Sequence, residues 1–89
     1  MTKHLDPDVA DLAPDDQTLT GYDEQHFVTY LRLLDAAAEG ADWREVSRIV
    51  LHRDPEAEPD RTRWAYDSHL ARARWLSEVG YKGFLRGPD

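Results

Sequence analysis

The chain has 89 residues, 33% of them charged and 40% apolar, and a formal net charge of −7, which suits one small domain with a single core and little margin. It has no cysteine, which excludes disulfides and thiolate metal sites. There is no apolar run near the roughly 18 residues of a membrane span and no apolar signal core at the N-terminus, so a soluble cytoplasmic protein is expected.

Residues 1–22 read as an acidic N-terminal arm, and residues 1–25 together carry a net −6. Asp6 and Pro7 fit an N-cap and first-turn pair, and Val9 and Leu12 share a face through PDVADLA. At most one short helix is expected there before Pro14 ends it. The polar stretch DDQTLTG that follows is turn-forming. The arm is expected to be flexible or loosely docked, with a partner-binding acidic segment as the second reading.

Residues 23–89 read as a helical domain of helix-turn-helix type. A first helix is expected over 23–39, because acids crowd its first turn, Phe27, Leu31, Leu34 and Ala38 recur at helical spacing, and Gly40 supplies a stop. Tyr30 and Ala37 widen that apolar stripe. A second, short helix starts from Asp42 with Glu45 three residues on, an arrangement that fits a capping box, and Trp43, Val46, Ile49 and Val50 form its apolar side. The segment RDPEAEPD then interrupts helical periodicity, and Pro59 can open a third helix running to about Val79 before Gly80.

The third helix is apolar on two sides. Trp64, Ala71 and Trp75, with Val79 beside them, form the stripe expected to pack inward, while Tyr66, Leu70 and Ala73 form a second group nearly opposite. The second group is either ordinary core or a partner-binding face. Arg63 with Asp67 and Arg74 with Glu78 stand at i,i+4 spacing between the stripes. Tyr81, Phe84 and Leu85 are expected to close the open end of the core. With no alternating strand pattern, the predicted fold is all-α: three principal helices with one or two short extra turns.

No pattern of catalytic or metal-binding residues emerges. The four histidines are scattered, Asp67 and His69 are wrongly spaced for one helix face, and DPEAEPD lacks the glycine and alternation of a calcium loop. No enzyme activity, cofactor or metal is expected.

A recognition module fits better. A short helix, a turn and a longer helix opening with positive charge outline a helix-turn-helix, in which Arg61, Thr62, Arg63, Tyr66 and His69 would face the bases. The acidic turn and the acidic arm oppose that reading, since duplex binding depends on the number of phosphates that Lys and Arg neutralise.

The pieces WREVSRIV, DPEAEP, SHLARARWL and the closing GY with a following leucine lie within Asp42–Leu85 and cover about half the chain. Together they resemble a family of small proteobacterial regulatory domains described as DNA-binding. The resemblance implies a helix-turn-helix variant with two uses: a DNA-binding part of activators of conjugative-element transfer, or an antiactivator that captures quorum-sensing and transfer activators. A chain of this length with a net charge of −7 is expected to serve as the antiactivator.

Its expected partners are a LuxR-type transcriptional activator and a transfer activator protein, with no DNA and no membrane, and the chain is expected to be a monomer. Arg61, Arg63, Tyr66, Asp67, His69, Leu70, Ala73 and Arg74 are the expected partner-binding residues. A sequence-specific DNA-binding regulator using the third helix is the alternative.

Overall fold

The structure, a computed structural model, describes residues 8–80. Regular helix begins at Thr20, where two backbone donors are satisfied reciprocally. The Thr20 hydroxyl accepts from the Asp23 N–H at 3.1 Å, and the Asp23 carboxylate accepts from the Thr20 N–H at 2.9 Å. Helix α1 spans Gly21–Gln25 and α2 spans Phe27–Ala38. The single helix expected over 23–39 is therefore two, because His26 leaves helical geometry at φ −108° and ψ 21°. Gly40 ends the pair as expected, at a φ of +71° that glycine adopts without penalty.

Helix α3 spans Trp43–Val46 and widens into a turn over Ser47–Leu51, where the His52 and Arg53 N–H groups both return to the Ser47 carbonyl. The side-chain cap expected from Asp42 is not made. His52 then turns the chain in the left-handed region, φ 59°. Pro59 opens α4, Pro59–Trp75, which continues into a second widened turn over Leu76–Gly80. The described residues contain helices and no strand, as predicted.

The core corrects the expected phase of α4. Thr62, Ala65, Tyr66, His69, Leu70, Ala73 and Leu76 are all buried, each three or four residues from another of the group along one face. Trp64 is 55% exposed, Ala71 is exposed and Trp75 is half-buried, so the stripe expected inside lies outside. The inward arc is continuous over the whole helix, and its small Ala65 and Thr62 admit neighbouring backbone. The tryptophan stripe has Asp67 and Ser68 at the turn between Trp64 and Ala71 and offers less continuous apolar area to bury.

Tyr66 and Leu70 pack with Leu33 of α2, Val46, Val50 and Leu51 of the second helix, and Val9 of the arm. Tyr30, Ala73 and Leu76 form a smaller cluster. In α2 the buried positions are Thr29, Tyr30 and Leu33, while Phe27 and Leu31 of the expected stripe are exposed. Ile49, also expected inside, is exposed.

The described part of the arm is fixed against α4. Residues 8–13 form no helix, but Val9 is buried in the core. The Ala13 N–H donates to the Ser68 hydroxyl at 3.0 Å, and the Asp16 and Thr18 carbonyls accept from the Arg72 guanidinium. A loosely docked arm was expected because the stretch is polar. Its attachment instead runs through backbone groups, one valine and the Asp11 carboxylate. The cap expected at Asp6–Pro7 and the closure expected from Tyr81, Phe84 and Leu85 lie outside the described residues.

Candidate interaction surface

The expected partner-binding residues divide between interior and surface. Tyr66, Leu70 and Ala73 are buried against α2 and the second helix, which closes them to a partner and corrects their placement on a binding face. His69 is wholly buried as well. Its Nδ1 lies 2.7 Å from the Ala65 carbonyl oxygen, so that nitrogen carries the proton and donates, leaving Nε2 to accept from the Tyr22 hydroxyl. Tyr22 also accepts from the Ala10 N–H at 2.9 Å and stacks on the His26 ring. His69 therefore joins α4, α1 and the arm, and its burial pushes the imidazole down to about 4, keeping it neutral.

Arg61, Arg63, Asp67 and Arg74 are exposed. Arg61 donates to Asp11 at 3.1 and 3.2 Å and to Glu58 at 3.1 Å. Arg63 donates to Asp67 at 3.1 Å, and its guanidinium lies 4.8 Å from the Trp43 ring centroid. This i,i+4 pair was expected; the Arg74–Glu78 pair is absent among the described residues.

Two arginine–carboxylate contacts that the sequence did not reveal hold the arm and α1 in place. Arg53 donates to Asp11 at 2.7 Å and to the Val9 carbonyl at 2.8 Å. Hydrogen bonds from Arg61 and Arg53 hold the Asp11 carboxyl below its ordinary value. Arg72 engages both Asp23 oxygens, at 3.0 and 2.7 Å, and its guanidinium stacks 4.2 Å from the Trp75 ring centroid. Burial alone would raise the Asp23 carboxyl, but donors from Arg72, the Thr20 backbone and Tyr30 outweigh it and hold it at about 2. The hydrogen bond from Arg72 is worth more to the pair than the desolvation it suffers, so the Arg72 guanidinium is raised.

The electrostatic result is a basic segment turned inward on its own acids. Among the described residues, Arg44, Arg48, Arg53, Arg61, Arg63 and Arg72 each meet a carboxylate of the same chain. Of the residues expected to face DNA bases, Thr62, Tyr66 and His69 are enclosed, and Arg61 and Arg63 are paired.

A short helix and a long helix joined through the turn at His52–Glu58, with α2 packed across the long one, make a small all-helical domain. The chain belongs to the family described as a T6SS transcription factor DNA-binding domain, whose profile matches residues 2–86. No curated protein matches it. Among the described residues no helix is long and apolar enough to cross a membrane.

Proposed function

We propose that the protein is an antiactivator: it captures a LuxR-type transcriptional activator and a transfer activator protein by stoichiometric binding, and so represses conjugative transfer of an integrative element. The whole chain resembles the antiactivator QseM in this respect. The observation that carries the reading is the self-neutralisation of α4. Its opening arginines, which in a helix-turn-helix regulator would approach the duplex, are held by Asp11, Glu58 and Asp67 in a chain of net charge −7. Each arginine so held must give up a carboxylate before it can displace counterions from phosphate, which is where affinity for nucleic acid originates. The same acidic surface accelerates encounter with a basic DNA-binding protein.

Family membership favours a second reading, a DNA-binding regulator that reads its operator through α4. Two measurements separate them. Co-purification of the full chain with a LuxR-type activator at micromolar concentration supports the first reading, and absence of capture overturns it. Specific retention of promoter DNA across a salt series, with a negative log-log slope, establishes the second.

A further inference from the structure

The geometry points to the outward face of α4, built on Trp64, Ala71 and Trp75, as the surface on which a captured protein is held, with a basic amphipathic helix of that protein as its occupant. This assignment rests on the antiactivator reading and replaces the buried Tyr66–Leu70–Ala73 group as the contact face. At about 100° per residue the three side chains fall within roughly 40° of one another, and Trp64 and Trp75 stand about 16 Å apart along the axis. Leu12, 64% exposed, joins the same edge, because its neighbours Asp11 and Ala13 are bonded to Arg61 and Ser68. A cleft of about 460 Å³ opens between Trp75 and residues 13–17 of the arm. An exposed Trp64 and a half-buried Trp75 about three turns apart, the latter lining such a cleft, provide the kind of aromatic anchors that dominate protein interfaces.

Charge selects the occupant. One border of the stripe is the row of Asp60 and Asp67 on α4 and Glu78 in the widened turn after it, and the other is the arm with Asp15 and Asp16; all five are exposed. Of these, only Asp67 is in an ion pair among the described residues. Arg72, the cation lining the cleft, is committed to Asp23, and Arg74 lies further round the helix, beyond the acidic row. An apolar strip between two acidic borders repels phosphate. It matches a helix whose apolar residues recur at i, i+3, i+4 and i+7 with lysine or arginine on both flanks. A second exposed apolar face, Phe27 and Leu31 of α2, stands beside a groove of about 200 Å³.

The test is a nitrogen-15 NMR titration of the full chain with a synthetic amphipathic helix bearing leucines on one face and lysines on its flanks, and with the same helix carrying glutamates in place of lysines. The indole N–H signals of Trp64 and Trp75 should shift with the lysine peptide, that of Trp43 should stay, and the glutamate peptide should have no effect. Trp64→Ala with Trp75→Ala should weaken the lysine peptide about thirtyfold while amide dispersion shows an intact fold. Asp15→Lys with Asp60→Lys, which leaves the aromatics in place, should weaken it about tenfold. Equal shifts with both peptides, no shift at either indole, or shifts confined to Phe27 and Leu31 overturn the assignment. Activator capture distinguishes the two proposals: capture retained by the folded double tryptophan variant removes this face and leaves the antiactivator reading, whereas no capture by the unaltered chain removes that reading while the peptide result still judges the face.

Discussion

Arg72 of α4 and Asp23 of α1, 49 residues apart in sequence, meet in the interior through two hydrogen bonds of 3.0 and 2.7 Å, with both side chains almost wholly removed from water. Asp23 is at once the third residue of a helix cap, the acceptor for the Tyr30 hydroxyl at 2.8 Å and the counter-charge for Arg72. The junction of arm, α1 and α4 therefore depends on a single carboxylate.

Removing one charge of this pair leaves the other buried without a partner. Arg72→Met should destabilise the fold by about 3–5 kcal/mol, and so should Asp23→Leu, whereas the two together should cost clearly less than their sum. Urea unfolding midpoints of the three variants check this. Additive losses would show that the two side chains act independently.

Stability should fall on acidification in two windows. Burial lowers the His69 imidazole from 6.5 to about 4, so the unfolded chain takes up its proton first. The folded state is then favoured fully above pH 6.5 and loses on the order of 3 kcal/mol as pH falls from there to 4. Asp23, held at about 2 against 3.8, contributes above 3.8 and is lost as pH falls from 3.8 to 2. The unfolding free energy followed against pH should lose its upper window in His69→Gln and keep the lower one. A profile that is flat between 6.5 and 4 in the unaltered chain would contradict the assignment of a neutral buried ring.

The two apolar faces of α4 should respond oppositely to the same substitution. Tyr66→Arg places a charge in the core beside Leu70 and should cost at least about 3 kcal/mol or prevent folding. Trp64→Arg, on the exposed face, should change stability by no more than roughly 0.5–1 kcal/mol. Thermal melts by circular dichroism decide the matter, and similar losses at both positions would reverse the orientation of the helix.

His52 holds a left-handed backbone conformation, φ 59°, at the end of the widened turn after α3. His52→Gly should raise stability by about 1 kcal/mol through the backbone, since glycine adopts this geometry without a Cβ penalty. His52→Val should lower stability instead. Melting temperatures of the two variants should therefore move in opposite directions from that of the parent.

Much of the helical plan could be read from periodicity and stop signals: Gly40 and Pro59 each mark a change in the chain where the structure has one. The side of α4 that turns inward could not be read from hydrophobicity, because two of its buried positions are Thr62 and His69 and two more are alanines. The break at His26 was hidden because its neighbours on both sides suit a helix. The Arg72–Asp23 and Arg53–Asp11 contacts, at separations of 49 and 42, depend on tertiary placement that no local pattern encodes. That same placement took Tyr66, Leu70 and Ala73 out of the expected contact surface and brought Trp64 and Trp75 to the outside.

Arg53 and Arg72 grip the arm largely by its main-chain oxygens, those of Val9, Asp16 and Thr18. A clasp that holds peptide groups makes little demand on what projects from them. Residues 15–17 can thus exchange one side chain for another, altering the sign and density of charge along that edge, while the helices beneath keep their arrangement; what that edge presents to other molecules can be retuned in a strip of chain that the core does not police.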